Sequence, residues 1–131
     1  MMKGEFSTTS QVASMSTASS NRTFTINPSQ QGFIDISTAT TNLTLTGDAP
    51  SGSTGITKIG LGVLTLNQTN TAGYTGNTQA NAGILALGTS AYSSLFTVNT
   101  GGRLNAAFQA VGNATIGSLT LNSGSGLDFD F

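Results

Sequence analysis

Short apolar pairs, split by one intervening residue, recur along this chain. They are Phe24/Ile26, Leu43/Leu45, Leu64/Leu66, Leu85/Leu87, Leu104/Ala106 and Leu127/Phe129. Such alternation is the period of a half-buried β-strand. The first members of successive pairs lie 19, 21, 21, 19 and 23 residues apart. So narrow a spread about a period of roughly 20 predicts a solenoid, whose single turns are too short to fold alone. A second set, Ile34/Ile36, Ile56, Phe96/Val98 and Leu119/Leu121, runs about half a period out of phase. It is thinnest over 75–80, where polar residues dominate. Turn-forming clusters such as Gly47-Asp-Ala-Pro50 separate the pairs.

The physical consequence is a coil in which Leu64 stands over Leu43 and under Leu85. Each buried leucine then contributes roughly 1.5–3 kcal/mol. An all-β parallel β-helix of about six rungs is therefore expected over residues 23–131, with 55–88 as its clearest unit. Residues 1–22, rich in Ser and Thr, are expected to be a flexible tail. An antiparallel sandwich also has closely spaced short strands. It does not require one pair to recur at one period, and its hairpins would favour Asn-Gly or Asp-Gly turns.

Composition narrows the function classes. Charged residues make up 7% of the 131 residues, against about a quarter in an ordinary globular chain. The place of charge is taken by Thr, Ser, Asn and Gly, short side chains suited to stacked strands. The four basic residues, Lys3, Arg22, Lys58 and Arg103, are scattered, so no nucleic-acid-binding stripe is expected. No run reaches the roughly 18 apolar residues of a membrane helix, so no membrane insertion by such a helix is expected. The sequence Met1-Met-Lys-Gly-Glu-Phe has no apolar segment of the secretory kind after it.

The chain contains neither histidine nor cysteine. Ser/His and Cys/His nucleophile pairs are therefore ruled out, as are thiolate metal sites. Asp128 and Asp130 are two apart on a predicted strand and share a face. A calcium or acid/base pair is one reading. The simpler one turns both to solvent while Leu127, Phe129 and Phe131 point inward. Asp35 reads as solvent-facing, Asp48 as a turn former and Lys58 as a solvated residue at a strand end. Tyr74 reads as a loop aromatic packed over the rung edge, with glycan stacking as the alternative. Gly60, Gly62, Gly76 and Gly83 read as turn or close-approach positions. Asn67, Asn81, Asn105 and Asn122 are candidates for ladders between rungs. No catalytic residue, metal site or cofactor is expected.

The segment Lys58-Ile-Gly60-Leu-Gly62-Val-Leu64-Thr-Leu66 is followed by Asn70, Tyr74-Thr-Gly76 and Asn81-Ala-Gly83-Ile-Leu85-Ala-Leu87. It resembles the autotransporter-associated β-strand repeat, also called the passenger-associated transport repeat, of bacterial type V passenger domains. The match covers about 34 residues, with three sub-motifs in the same order as the repeat. The loop between Asn70 and Tyr74 is one residue longer than usual. The structural repeat residues carried over are Gly60, Gly62, Leu64, Leu66, Tyr74, Gly76, Gly83, Leu85 and Leu87.

The resemblance implies a right-handed parallel β-helix at, or released from, the bacterial cell surface. It implies a non-enzymatic stalk or adhesin scaffold that supports secretion and display. The implied partners are neighbouring rungs of a longer passenger, with host or surface glycans or proteins as candidate ligands. The outer-membrane barrel that ends such passengers needs at least about eight strands of roughly 9–11 residues, longer than the short pairs seen here. A passenger segment is therefore the expectation. The second reading is a filament subunit self-associating through open coil ends, and the third a polysaccharide-active β-helical enzyme.

Overall fold

The computed structural model describes residues 11–12, 17–27, 29–52, 55–106 and 114–129. Among these residues twelve short strands alternate between two sheets as the chain advances. One sheet, A, takes β1 (Gln11–Val12), β3 (Gly32–Asp35), β5 (Ile56–Ile59), β7 (Thr78–Ala80), β9 (Leu95–Val98) and β11 (Ser118–Leu121). The other, B, takes β2 (Thr17–Ser20), β4 (Asn42–Leu45), β6 (Val63–Leu66), β8 (Gly83–Leu87), β10 (Gly102–Ala106) and β12 (Gly126–Phe129). Strand order follows the chain in each sheet and every ladder is parallel. The result is a parallel β-helix, a solenoid of about five turns.

The register explains the period. In sheet B, Leu43, Leu64, Leu85, Leu104 and Leu127 are successive partners. Beside them run Leu45, Leu66, Leu87, Ala106 and Phe129. The leucines of the inner rungs are at most 2% exposed. Parallel strands cannot be joined by a two-residue hairpin. Here the return path is the other sheet plus a third, irregular side. That side carries isolated parallel bridges between Asp48 and Thr69 and between Ala91 and Thr115.

The first rung differs from the expected one. Phe24-Thr-Ile26 forms no strand, and Ala18 and Ser20 are the partners of Leu43 and Leu45. The coil therefore extends back into the stretch expected to be a tail. The alternation of Phe24 and Ile26 marks burial rather than pairing. Both pack on the core from the connection between β2 and β3. Ile26 occupies the space that Gly32 leaves open: a Cβ added at Gly32 would lie 2.7 Å from the Ile26 Cδ1.

In sheet A the polar gap over 75–80 contains a strand after all. Thr78 and Ala80 of β7 turn inward and are fully buried. One inner column runs Gly32–Ile56 and then Thr78–Phe96–Leu119. The other runs Ile34, Lys58, Ala80, Val98 and Leu121. Lys58, expected in solvent, instead stands in the core at 0% exposure. Ile34 is the partner of Lys58, and Ile56 stands over Gly32. Residues Asp130 and Phe131, to which an outward carboxylate and an inward apolar position are assigned above, lie outside the described residues.

Candidate functional site

The repeat-like segment builds a corner between β5 and β6. Lys58 extends along the interior and turns its ammonium onto main-chain carbonyls. The Nζ donates to the oxygens of Ile59 at 3.0 Å, Gly60 at 2.7 Å and Ala82 at 3.0 Å. Two of these acceptors belong to its own turn and the third to the turn of the next rung. A neutral amine has only two protons, so three acceptors suit the charged form. Burial nevertheless pushes the Lys58 ammonium down from 10.5 to about 8, against the opposing pull of the Asp35 carboxylate.

Gly60 and Gly83 make this convergence sterically feasible. Their φ values are +76° and +61°, which L side chains rarely adopt. A Cβ at Gly83 would lie 2.5 Å from the Gly62 carbonyl oxygen, and one at Gly60 would collide with the Ile36 carbonyl. Gly62 lies equally close to the rung below, its amide donating to the Ile36 carbonyl at 2.8 Å. The corner is closed by amides of Val63, Asn81 and Ile84 donating to the carbonyls of Thr41, Lys58 and Gly62. Leu61, between the two glycines, is 64% exposed.

Tyr74, expected in a loop over the rung edge, is 1% exposed and lies inside the coil. A 3₁₀ turn, Thr71–Gly73, begins after Asn70, whose φ of 50° is left-handed. The turn delivers the ring inward, with Gly76 buried two residues on. The Tyr74 hydroxyl and the Thr78 Oγ1 are 2.7 Å apart. Its ring meets Tyr92 edge-on at 5.9 Å, and Tyr92 meets Phe96 in the same way at 5.5 Å. A buried ring cannot stack on a glycan, so that alternative falls. Burial pushes the Tyr74 phenol up to about 12 and raises Tyr92 further, the latter also through its proximity to Tyr74. The Tyr92 hydroxyl donates to Gln68 Oε1 at 3.1 Å, and Gln68 Nε2 donates to the Asp48 carbonyl at 3.3 Å. Neither Tyr92 nor Gln68 belongs to a motif in the sequence. The available signal is an aromatic or amide set among small polar residues, one period from another.

The described carboxylates are engaged in structure. Asp48 Oδ1 accepts from Thr69 Oγ1 at 2.7 Å and from Asn70 Nδ2 at 2.6 Å, tying its turn to the next rung. Asp128 forms a two-pronged ion pair with Arg103, one rung below, with Nε to Oδ2 at 2.7 Å and Nη2 to Oδ1. Hydrogen bonding from Arg103 holds the Asp128 carboxyl below its ordinary range. Asp35 is only half-buried, but its Oδ1 is out of solvent and has no hydrogen-bond partner; its charge acts on Lys58. Among the described residues no three acidic groups gather as a metal site, and no helix is long and apolar enough to cross a membrane.

An amide ladder does form. Asn122 Nδ2 donates to Asn99 Oδ1 and Asn99 Nδ2 to Asn81 Oδ1, both at 2.6 Å. Asn99 is the member that the sequence reading leaves out. Asn67 instead accepts from the Thr89 amide at 3.3 Å, and Asn105 lies in sheet B between Ala86 and Asp128. What the arrangement does chemically is hold rungs together. Protein-family models, curated proteins and solved structures were all compared with the chain, and none matches.

Proposed function

We propose that the chain is a non-enzymatic structural segment of the autotransporter-passenger kind, a β-helical stalk or adhesin scaffold that supports secretion and surface display. The observation that carries the reading is the use made of the repeat-like residues. Lys58, Gly60, Gly62 and Gly83 build one corner. Leu64, Leu66, Leu85 and Leu87 fill the core, and Tyr74 closes the other side of the same rung. Each is spent on stacking, and none presents a reactive group to solvent. Any ligand, whether a surface glycan or a protein, would then meet outward side chains and not Tyr74.

The test places the chain between a secretion signal and an outer-membrane β-barrel in a double-membraned bacterium. An epitope ahead of the chain is then scored on intact cells. Display is expected for the native chain and at least a fivefold loss for Gly83→Val, whose rung cannot close. Equal display of both, with the purified native chain folded, would overturn the reading. Release of sugar fragments from plant or bacterial polysaccharides by the pure chain would overturn its non-enzymatic part.

A further inference from the structure

The outward face of sheet A repeats one pattern on successive rungs. The inward residues of β7, β9 and β11 are Thr78 and Ala80, Phe96 and Val98, and Leu119 and Leu121. Strand residues alternate between the two faces. Gln79, Thr97 and Thr120 therefore point outward, and they are successive register partners. Two residues further along each rung stand Asn81, Asn99 and Asn122, the members of the amide ladder. Asn81, Thr120 and Asn122 are exposed, and Gln79, Thr97 and Asn99 are half-buried.

The backbone sets the spacing of these groups. Neighbouring strands lie about 4.8 Å apart and alternate residues of one strand about 6.6 Å apart, so the side chains stand at the nodes of a rectangular grid. The nodes are also held. Asn99 Nδ2 donates to Gln79 Oε1 at 3.3 Å as well as to Asn81, and Thr97 Oγ1 donates to Asn77 Oδ1 at 3.2 Å. Side-chain ladders of this kind keep a sheet flat. Groups already fixed lose little rotamer freedom when something binds them. Asn81 Oδ1 and Asn99 Oδ1 each accept one ladder bond, and an amide oxygen has two lone pairs, so both also accept from water.

The residues of β7, β9 and β11 include no charged group to pair with an ionic ligand, and their one aromatic ring, Phe96, points inward. What the face offers is order. Water hydrogen-bonded to the grid is fixed at repeats close to those of oxygen on a prism face of ice. We infer that this face binds ice: the Gln/Thr and Asn columns hold a layer of water that joins the lattice of a growing crystal. Ice is neutral and periodic, as the face is. The inference concerns the side of the coil and is independent of the passenger reading, so failure in an ice assay and failure in a display assay are separate results.

The test grows one ice crystal slowly from a dilute solution of the whole chain and compares its concentration in the ice and in the remaining liquid. The native chain is set beside Thr97→Lys and Thr120→Lys, which place an ammonium above the grid. Thr89→Lys is the control, at an exposed position two residues beyond β8 of sheet B. Circular dichroism and a melting curve first establish that each variant is folded. The native chain and Thr89→Lys are expected in the ice at least fivefold above an ordinary soluble protein, which a growing crystal rejects. Thr97→Lys and Thr120→Lys should fall to the rejected level. A native chain left in the liquid overturns the proposal. So does uptake of the two folded grid variants at the native level, which would put adsorption elsewhere on the coil. Rejection of Thr89→Lys as well would overturn it too, because added charge alone would then explain the loss. Retention on insoluble cellulose that the grid variants lose, with no uptake into ice, would overturn it in favour of a polysaccharide surface.

Discussion

Lys58 is the register partner of Ile34: a cationic side chain stands directly over an isoleucine in the interior column of sheet A. The column tolerates it because its head group finds three carbonyls at the corner, 2.7–3.0 Å away. Removing only the head group tests this. Lys58→Met keeps a long unbranched stem but orphans the acceptors, each orphan costing about 1–3 kcal/mol before the relief from no longer burying a charge. A net loss of about 2 kcal/mol in urea unfolding at pH 7 is expected. An unchanged midpoint would mean that water serves the carbonyls equally well.

The same lysine and the two tyrosines shape stability against pH. Lys58 has a folded value of about 8, below its ordinary 10.5. Between these the unfolded chain binds the extra proton, so stability rises with pH, by up to about 3 kcal/mol. Tyr74 is shifted the other way, from 10.0 to about 12. Above pH 10 the unfolded chain loses that proton first, so stability falls as pH rises through this window. A maximum near pH 10 follows. Urea titrations from pH 7 to 11 should show it, the rising limb disappearing in Lys58→Met and the falling limb weakening in Tyr74→Phe/Tyr92→Phe.

Gly83→Ala should be far more harmful than an ordinary surface change. The added methyl meets the main chain of the rung below and the φ of +61° disfavours any side chain. A loss of about 2–4 kcal/mol is expected from strain of this kind. The same substitution at Gly52, where φ is also positive but nothing lies within 4 Å, should cost only the local conformational term, about 1 kcal/mol. Equal melting temperatures for the two variants would refute the close-approach account.

Leu66→Ala and Leu61→Ala form a matched pair. Leu66 is 1% exposed at mid-stack and Leu61 64% exposed in the glycine turn. The first should cost about 2–5 kcal/mol and the second less than about 0.5 kcal/mol. Denaturant unfolding of both variants decides it.

How much of this is legible in the sequence follows from what each residue type signals. The sheet B columns can be read because leucines recurring at a steady interval have few causes apart from stacking. The first rung cannot, because Ala18 and Ser20 are too small to mark a strand, while Phe24 and Ile26 imitate one. Lys58 reads as solvated because lysine usually is. Its burial depends on carbonyls brought together by Gly60 and Ala82, 22 residues apart in the chain. Tyr74 misleads for a related reason: the loop that carries it bends inward at Asn70, and a left-handed asparagine leaves no trace in the hydrophobic pattern.

The asparagine ladder adds a sense of direction to this geometry. Along Asn122, Asn99 and Asn81 both donating amide nitrogens point the same way, toward the earlier rung. The two bonds therefore run in one sense along the stack. Reversing any one member would set two nitrogens or two oxygens against each other, so the ladder can be built only in this sense.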